Sequence, residues 1–161
     1  MAKATDFRTT ALGVLSTASA RNATAIGAYS KANANFTLAV GTNAAASGVA
    51  SIAFGAGSNA SDTGAIAKGV NAIASGANSS ALGTEAQATA EDALAVGHSA
   101  LANKINATAI GAGAVAAKEN ATAIGDKASA TGASSTSVGH GATTNRHGAS
   151  SLGHSASANA V

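Results

Sequence analysis

Small, apolar and polar residues recur along this chain with a period that is neither the two of a lone strand nor the 3.6 of a helix. Aligned on glycine, the positions Gly13, Gly27, Gly41, Gly55, Gly69, Gly83, Gly97, Gly111, Gly125, Gly139 and Gly153 form eleven copies spaced by fourteen residues without a slip. The residue before each glycine is Leu12, Ile26, Val40, Phe54, Lys68, Leu82, Val96, Ile110, Ile124, Val138 or Leu152, so ten of eleven are sizeable apolar side chains. Two before the glycine stand nine alanines and two serines, Ser137 and Ser151; three after it every copy has Ala or Ser; five after it ten copies have Ala, with Thr144 the exception. A fixed register of this kind decides the architecture before any local reading does.

Fourteen residues are too few for a pair of helices, and a helix carrying the repeat glycine would lose about 1 kcal/mol at each copy. One coil of a β-solenoid fits: two strands of about five residues joined by two tight turns. The turn ahead of each strand carries Asn22, Gly64, Asn78, Asp92, Asn106, Asn120 or Gly148, residue types that tolerate positive φ. Stacked coils pair in register, so each column of the alignment becomes a ladder rising about 4.8 Å per coil.

Side chains alternate faces along a strand, so in NATAIG the pair Ala23 and Ala25 points one way and Thr24 and Ile26 the other. The alanine face suits the inside of a very narrow roll, closed by the small residues three and five after the glycine. The apolar column then points out of the roll, joined by Leu38, Ile52, Ile66 and Leu94, and a ladder of that size is not left in water. Identical chains offer identical columns, so closed rotational symmetry is the economical way to cover it. A roll filled with methyl groups is marginal alone, which makes the expected oligomer obligate.

Composition sharpens this picture. Apolar content reaches 46% mainly through alanine; the aromatic residues are Phe7, Tyr29, Phe36 and Phe54, and Trp, Pro and Cys are absent. Without cysteine there is neither a disulfide framework nor a thiolate metal site. Nine basic against seven acidic residues give a formal charge of +2, far from the dense basic clustering that nucleic-acid binding needs. Lys3 followed by ALGVLSTASA imitates a secretion signal, but Asp6 and the Thr- and Ser-broken run fit the repeat equally well. No run approaches the roughly 18 apolar residues of a membrane span.

The stretches NATAIGAYS from Asn22, NSSALGTEA from Asn78, NATAIGAGA from Asn106 and NATAIGDKA from Asn120 resemble the NSVAIGxxS-type repeats of YadA-like head domains, found in trimeric autotransporter adhesins of Gram-negative bacteria. The resemblance implies an all-β, left-handed parallel β-roll of about eleven coils, assembled as a homotrimer at the tip of a surface fibre, on the extracellular side of the outer membrane. It implies no enzyme, no cofactor and no metal, and binding to collagen, fibronectin, laminin or host cells, with self-agglutination in some members. Carried onto this sequence, the motif points to Asn22, Ile26, Gly27 and Ser30 in its fullest copy and to Asn78, Asn106 and Asn120 in others as ligand-binding positions. The ten apolar residues before the glycines become the trimer interface. Most copies end in Ala where the family motif has Ser. The chain reads as one head-domain fragment, 1–161, with repeats from about residue 9 and without stalk or membrane anchor.

Other chemistry is sparse. His98, His140 and His154 directly follow a repeat glycine and His147 lies in a turn; His140 and His154 should stack about 5 Å apart. Two imidazoles at that distance suit a shared metal, but a ladder of solvated turn residues explains them as well, and no Asp or Glu is expected beside them to orient a ligand. Lys68 interrupts the apolar column and would bring three ammonium groups together at a symmetry axis, which calls for an anion or a wetted interface. The sequons at Asn22, Asn35, Asn59, Asn78, Asn106 and Asn120 follow from a repeat that needs Asn in its turn. Arg21, Lys31, Lys104, Lys118, Glu119, Asp126, Lys127 and Arg146 read as a solvated rim.

Three rival readings remain. Acyltransferase solenoids use a period of six, and fourteen is not a multiple of it; no nucleophile, base and orienter cluster either. An ice-binding solenoid needs a flat Thr face, whereas the column Thr10, Thr24, Leu38, Ile52, Ile66, Ser80, Leu94, Thr108, Thr122, Thr136, Ser150 breaks its threonines with bulky residues. A passive spacer on a surface fibre has the same sequence signature as an adhesin.

Overall fold

The computed structural model describes residues 1–159; Ala160 and Val161, where the expected repeat region closes, lie outside the described residues. Twenty-three short strands, with no helix among the described residues, alternate between two parallel sheets of twelve and eleven strands. Three-residue strands ending just before the repeat glycine, such as Thr24–Ile26, build the eleven-stranded sheet, and two-residue strands such as Lys31–Ala32 build the other. Each strand pairs with its equivalent fourteen residues on: Ala25 lies beside Ala39, Ile26 beside Val40, Ala32 beside Ala46. The chain is therefore an all-β parallel solenoid whose coil is the sequence repeat.

Two sequence expectations need correction. Strands are two and three residues long, not about five, because two four-residue turns occupy most of each coil. The solenoid also begins before residue 9: Lys3 and Ala4 pair with Thr17 and Ala18 as its first rung.

Both turns of a coil close in the same way. The Gly27 carbonyl accepts a hydrogen bond from Ser30 N at 3.3 Å, and the Ala20 carbonyl accepts one from Ala23 N at 3.0 Å. In each turn the third residue has positive φ, 61° at Tyr29 and 56° at Asn22, the φ pattern of a type II turn. Asn, Asp or Gly fill much of the second turn column, as expected. The first turn column, running through Leu15, Tyr29, Asn43, Gly57 and Asn71, is equally left-handed but carries no consistent residue type, so its conformation is imposed by the stack. Turn amides bond between coils as strand amides do: Tyr29 N donates to Val14 O and Asn22 N to Phe7 O. The backbone is thus hydrogen-bonded to its neighbours all round the coil, which is how so thin a roll satisfies its polar groups.

The interior is made of methyl groups. Ala23, Ala25, Ala44 and Ala46, and their equivalents through the central coils, are buried, as the alternation of faces predicts. Where serine or threonine replaces an interior alanine at the end of a turn, its hydroxyl commonly bonds back to the carbonyl that opens that turn: Ser30 Oγ to Gly27 O at 2.8 Å, Thr37 Oγ1 to Ala34 O at 2.6 Å, Ser135 Oγ to Gly132 O at 2.7 Å; the exception is Ser51, whose buried hydroxyl has no partner. Near the C-terminal end the interior turns polar: Thr144 Oγ1 lies 2.6 Å from Ser137 Oγ and 2.9 Å from Ser151 Oγ, and donates to Thr136 O. The repeat glycines stack as well. Gly97 has φ +126, and a Cβ there would meet Gly111 O at 2.6 Å and Gly111 C at 2.7 Å, so both the conformation and the approach of the next coil require glycine.

Candidate binding surface

Because the interior takes only small side chains, every large one is forced outward. On the eleven-stranded sheet the two outward columns are the apolar residues before the glycine and the Thr, Ile, Leu and Ser column two residues earlier. In a single chain Leu12 is 64% exposed, Phe54 48%, Ile124 37% and Leu152 81%; Ile26, Val40, Leu82, Val96, Ile110 and Val138 are half-buried, mainly against the rungs above and below. The ten residues read as a ladder from the sequence therefore do form one, in register along one face. Lys68 interrupts it, exposed, between Phe54 and Leu82. It is the sole charged residue in these two columns.

The motif residues divide by face. Ser30 is fully buried, with its hydroxyl engaged by the Gly27 carbonyl; Gly27 belongs to the stacked glycine column. Ile26 lies on the apolar face. Asn22 is half-buried, whereas Asn78, Asn106 and Asn120 are exposed at the turn with φ of 55–56°, and Asn106 Nδ2 donates to Asn120 Oδ1 at 3.2 Å. The motif thus combines an inside residue, a contact-face residue and a turn residue in a single coil, and of the seven only the asparagines present polar side chains outward.

His140 and His154 stack as expected, with ring centroids 5.0 Å apart and planes inclined by 7°. Contrary to expectation, an acid stands beside them: Asp126 Oδ2 is 3.2 Å from His140 Nε2. It occupies the same column one coil earlier, directly after Gly125, where the spacing of fourteen places it. Ring nitrogens coordinate in the plane of their ring, so two parallel stacked imidazoles do not converge on one ion. Both residues of the pair are about half exposed, where an ion pair contributes little. His98 and Glu85 make a looser pair at 4.0 Å.

Among the described residues the surface carries no pocket, no group of three or more His, Cys, Asp or Glu placed to hold a metal ion, and no helix long and apolar enough to cross a membrane. What the molecule offers is a set of long, flat, repetitive faces. No curated protein matches the chain. The family model for the YadA head domain repeat matches in overlapping windows of two copies, 4–30, 18–44, 46–72, 65–86, 74–100, 88–114, 102–128 and 116–142. Most windows step by one coil of the solenoid, and together they cover well over half the chain. With its coil, its small-residue interior and its motif all accounted for by that repeat, the chain belongs to the YadA-like head domains of trimeric autotransporter adhesins.

Proposed function

We propose that three copies of this chain pack side by side as a homotrimer of left-handed rolls and serve as a non-catalytic adhesin head on the outer surface of a Gram-negative bacterium. The observation that carries this reading is the apolar ladder. Ten large apolar residues in register along one face, with Phe54 about half exposed and Leu12 and Leu152 more than half exposed in the single chain, make a face that a folded protein covers. A second and third copy cover it with the same face, and the methyl-filled interior of each roll gains the buried area it lacks alone. Lys68 then sits within the interface, paired with an anion or with water.

The remaining surface of the trimer is broad, pocketless and repeated by symmetry, which suits extended ligands such as collagen, fibronectin or laminin, or a host cell surface. The exposed asparagines Asn78, Asn106 and Asn120 stand on it, while Ile26, Gly27 and Ser30 act by holding the coil in shape. Weak contacts repeated along the stack and around the trimer gain strength through avidity. Binding of the trimer to immobilised collagen, fibronectin and laminin, and to cultured host cells, tests the proposal. Saturable binding to at least one supports it; a folded trimer that saturates none of them refutes the adhesive role.

A further inference from the structure

The basic residues are unevenly distributed. Lys3, Arg8, Arg21 and Lys31 stand against Asp6 alone in the first 36 residues, a net +3, whereas five basic and six acidic residues follow, a net −1. The net charge of this N-terminal stretch, +3, therefore exceeds the +2 of the chain as a whole. The fold gathers these charges: Lys3, Thr17 and Lys31 are successive rungs on the outer side of the twelve-stranded sheet, which puts the two lysines about 10 Å apart. At the adjoining turn the guanidinium carbons of Arg8 and Arg21 lie 4.9 and 5.7 Å from the centroid of the Phe7 ring. All four basic residues are exposed, and none is in an ion pair among the described residues. Polar groups fill the ground between them: Ser19 Oγ donates to Asn33 Oδ1 and Arg21 N to Asn35 Oδ1, both at 3.2 Å.

We infer that this patch binds a sulfated polysaccharide. The ligand must be a polyanion, because four cations with one acid beside them repel each other when nothing neutralises them. It must present its anionic groups repeatedly along an extended chain, because the cations are spread over three rungs and a turn rather than gathered round one point. Guanidinium forks take tetrahedral oxyanions in bidentate fashion, and the Phe7 ring holds two of them in place before the ligand arrives. A single-stranded nucleic acid fits less well, since it asks for free aromatic faces on which bases stack, and the Phe7 ring carries guanidinium groups. Lys3 and Lys31 stand on the sheet opposite the apolar ladder, and Arg8 and Arg21 on the turn that joins the two sheets, so none of the four belongs to the ladder itself. The patch adds a ligand class to the adhesin reading without resting on the trimer.

The test measures retention on immobilised heparin at several salt concentrations, with sedimentation run on every sample so that a failure to assemble is read separately. Substitutions are available that other coils already carry in the same columns: Arg8→Asn, as at Asn22, and Arg21→Asn, as at Asn35. The double variant is expected to weaken heparin binding about tenfold or more and to lower the slope of log affinity against log salt by about two. Lys104→Ala with Lys118→Ala, matching Ala20 and Ala34, removes the same charge elsewhere and is expected to change little. Three results would overturn the inference: no retention of the unaltered chain near physiological salt, equal losses in the two double variants, or tighter binding to oligothymidylate or polyglutamate than to heparin.

Discussion

Replacing the repeat glycine at one central coil separates the two reasons for its presence. Alanine at Gly97 must adopt φ near +126 and place its Cβ 2.6 Å from Gly111 O. The conformation costs about 1–3 kcal/mol, and forcing a methyl group against hydrogen-bonded backbone adds about 1–3 more, together about 4 kcal/mol at mid-range. Gly113→Ala is the matched control, in the equivalent turn of the next coil: φ there is +63 and the nearest atom is Lys127 Cγ at 3.7 Å. It keeps only the left-handed penalty of about 1–2 kcal/mol, which Ala50 at φ 56 already bears in the chain. The gap of about 2.5 kcal/mol corresponds to roughly 5–10 °C in a domain of this size. Far-UV circular dichroism melts at one fixed chain concentration read it directly. Equal melting temperatures for the two variants would show that the glycine column answers to φ alone and that close stacking of coils is not what demands it.

Other consequences are as direct. Ala50→Asn places a residue that tolerates the left-handed region where alanine is strained, and is expected to raise the melting temperature by the equivalent of about 0.5–1 kcal/mol; a drop would show that the neighbouring coils reject the longer side chain. Thr144→Val removes the hydroxyl that Ser137 and Ser151 both approach and is expected to destabilise by about 1–3 kcal/mol in chemical denaturation. The triple change of Ser137, Thr144 and Ser151 to alanine, the residue of most other coils, is expected to fall near neutral, because no buried hydroxyl is then left short of a partner. Lys68→Ile completes the apolar ladder and is expected to raise the thermal stability of the assembled protein; a lower melting temperature would show that the ammonium is bound favourably where it stands.

Much of the fold is legible in the sequence because each column of the alignment carries a single structural duty. Gly97 stands where no side chain fits, Ala95 where only a methyl fits, and Val96 where the chain faces outward, and the fixed spacing of fourteen turns those local rules into a stack. The short strands were not legible, because a turn residue such as Tyr29 adopts positive φ under the pull of hydrogen bonds to Val14 O in the coil before and not through any propensity of its own. The Asp126 and His140 pair, by contrast, was legible: Asp126 follows Gly125 as His140 follows Gly139, and the spacing of fourteen that stacks His140 on His154 also brings the acid beside them. Side-chain position also divides the motif in a way its letters do not show. Ser30 and Asn22 belong to the same nine-residue copy, yet one is sealed inside the roll and the other lies at its edge. The basic patch was not legible, because the repeats were expected from about residue 9 and the first rung at Lys3, two below Lys31, lies before that point.

Sedimentation equilibrium of the purified chain tests the central claim most directly, because the apolar ladder is either covered by copies of itself or it is not. With a chain mass of 15.0 kDa, the account predicts a single species near three times that value, persisting on dilution. A folded species of one chain mass, soluble with its ladder exposed, would contradict it.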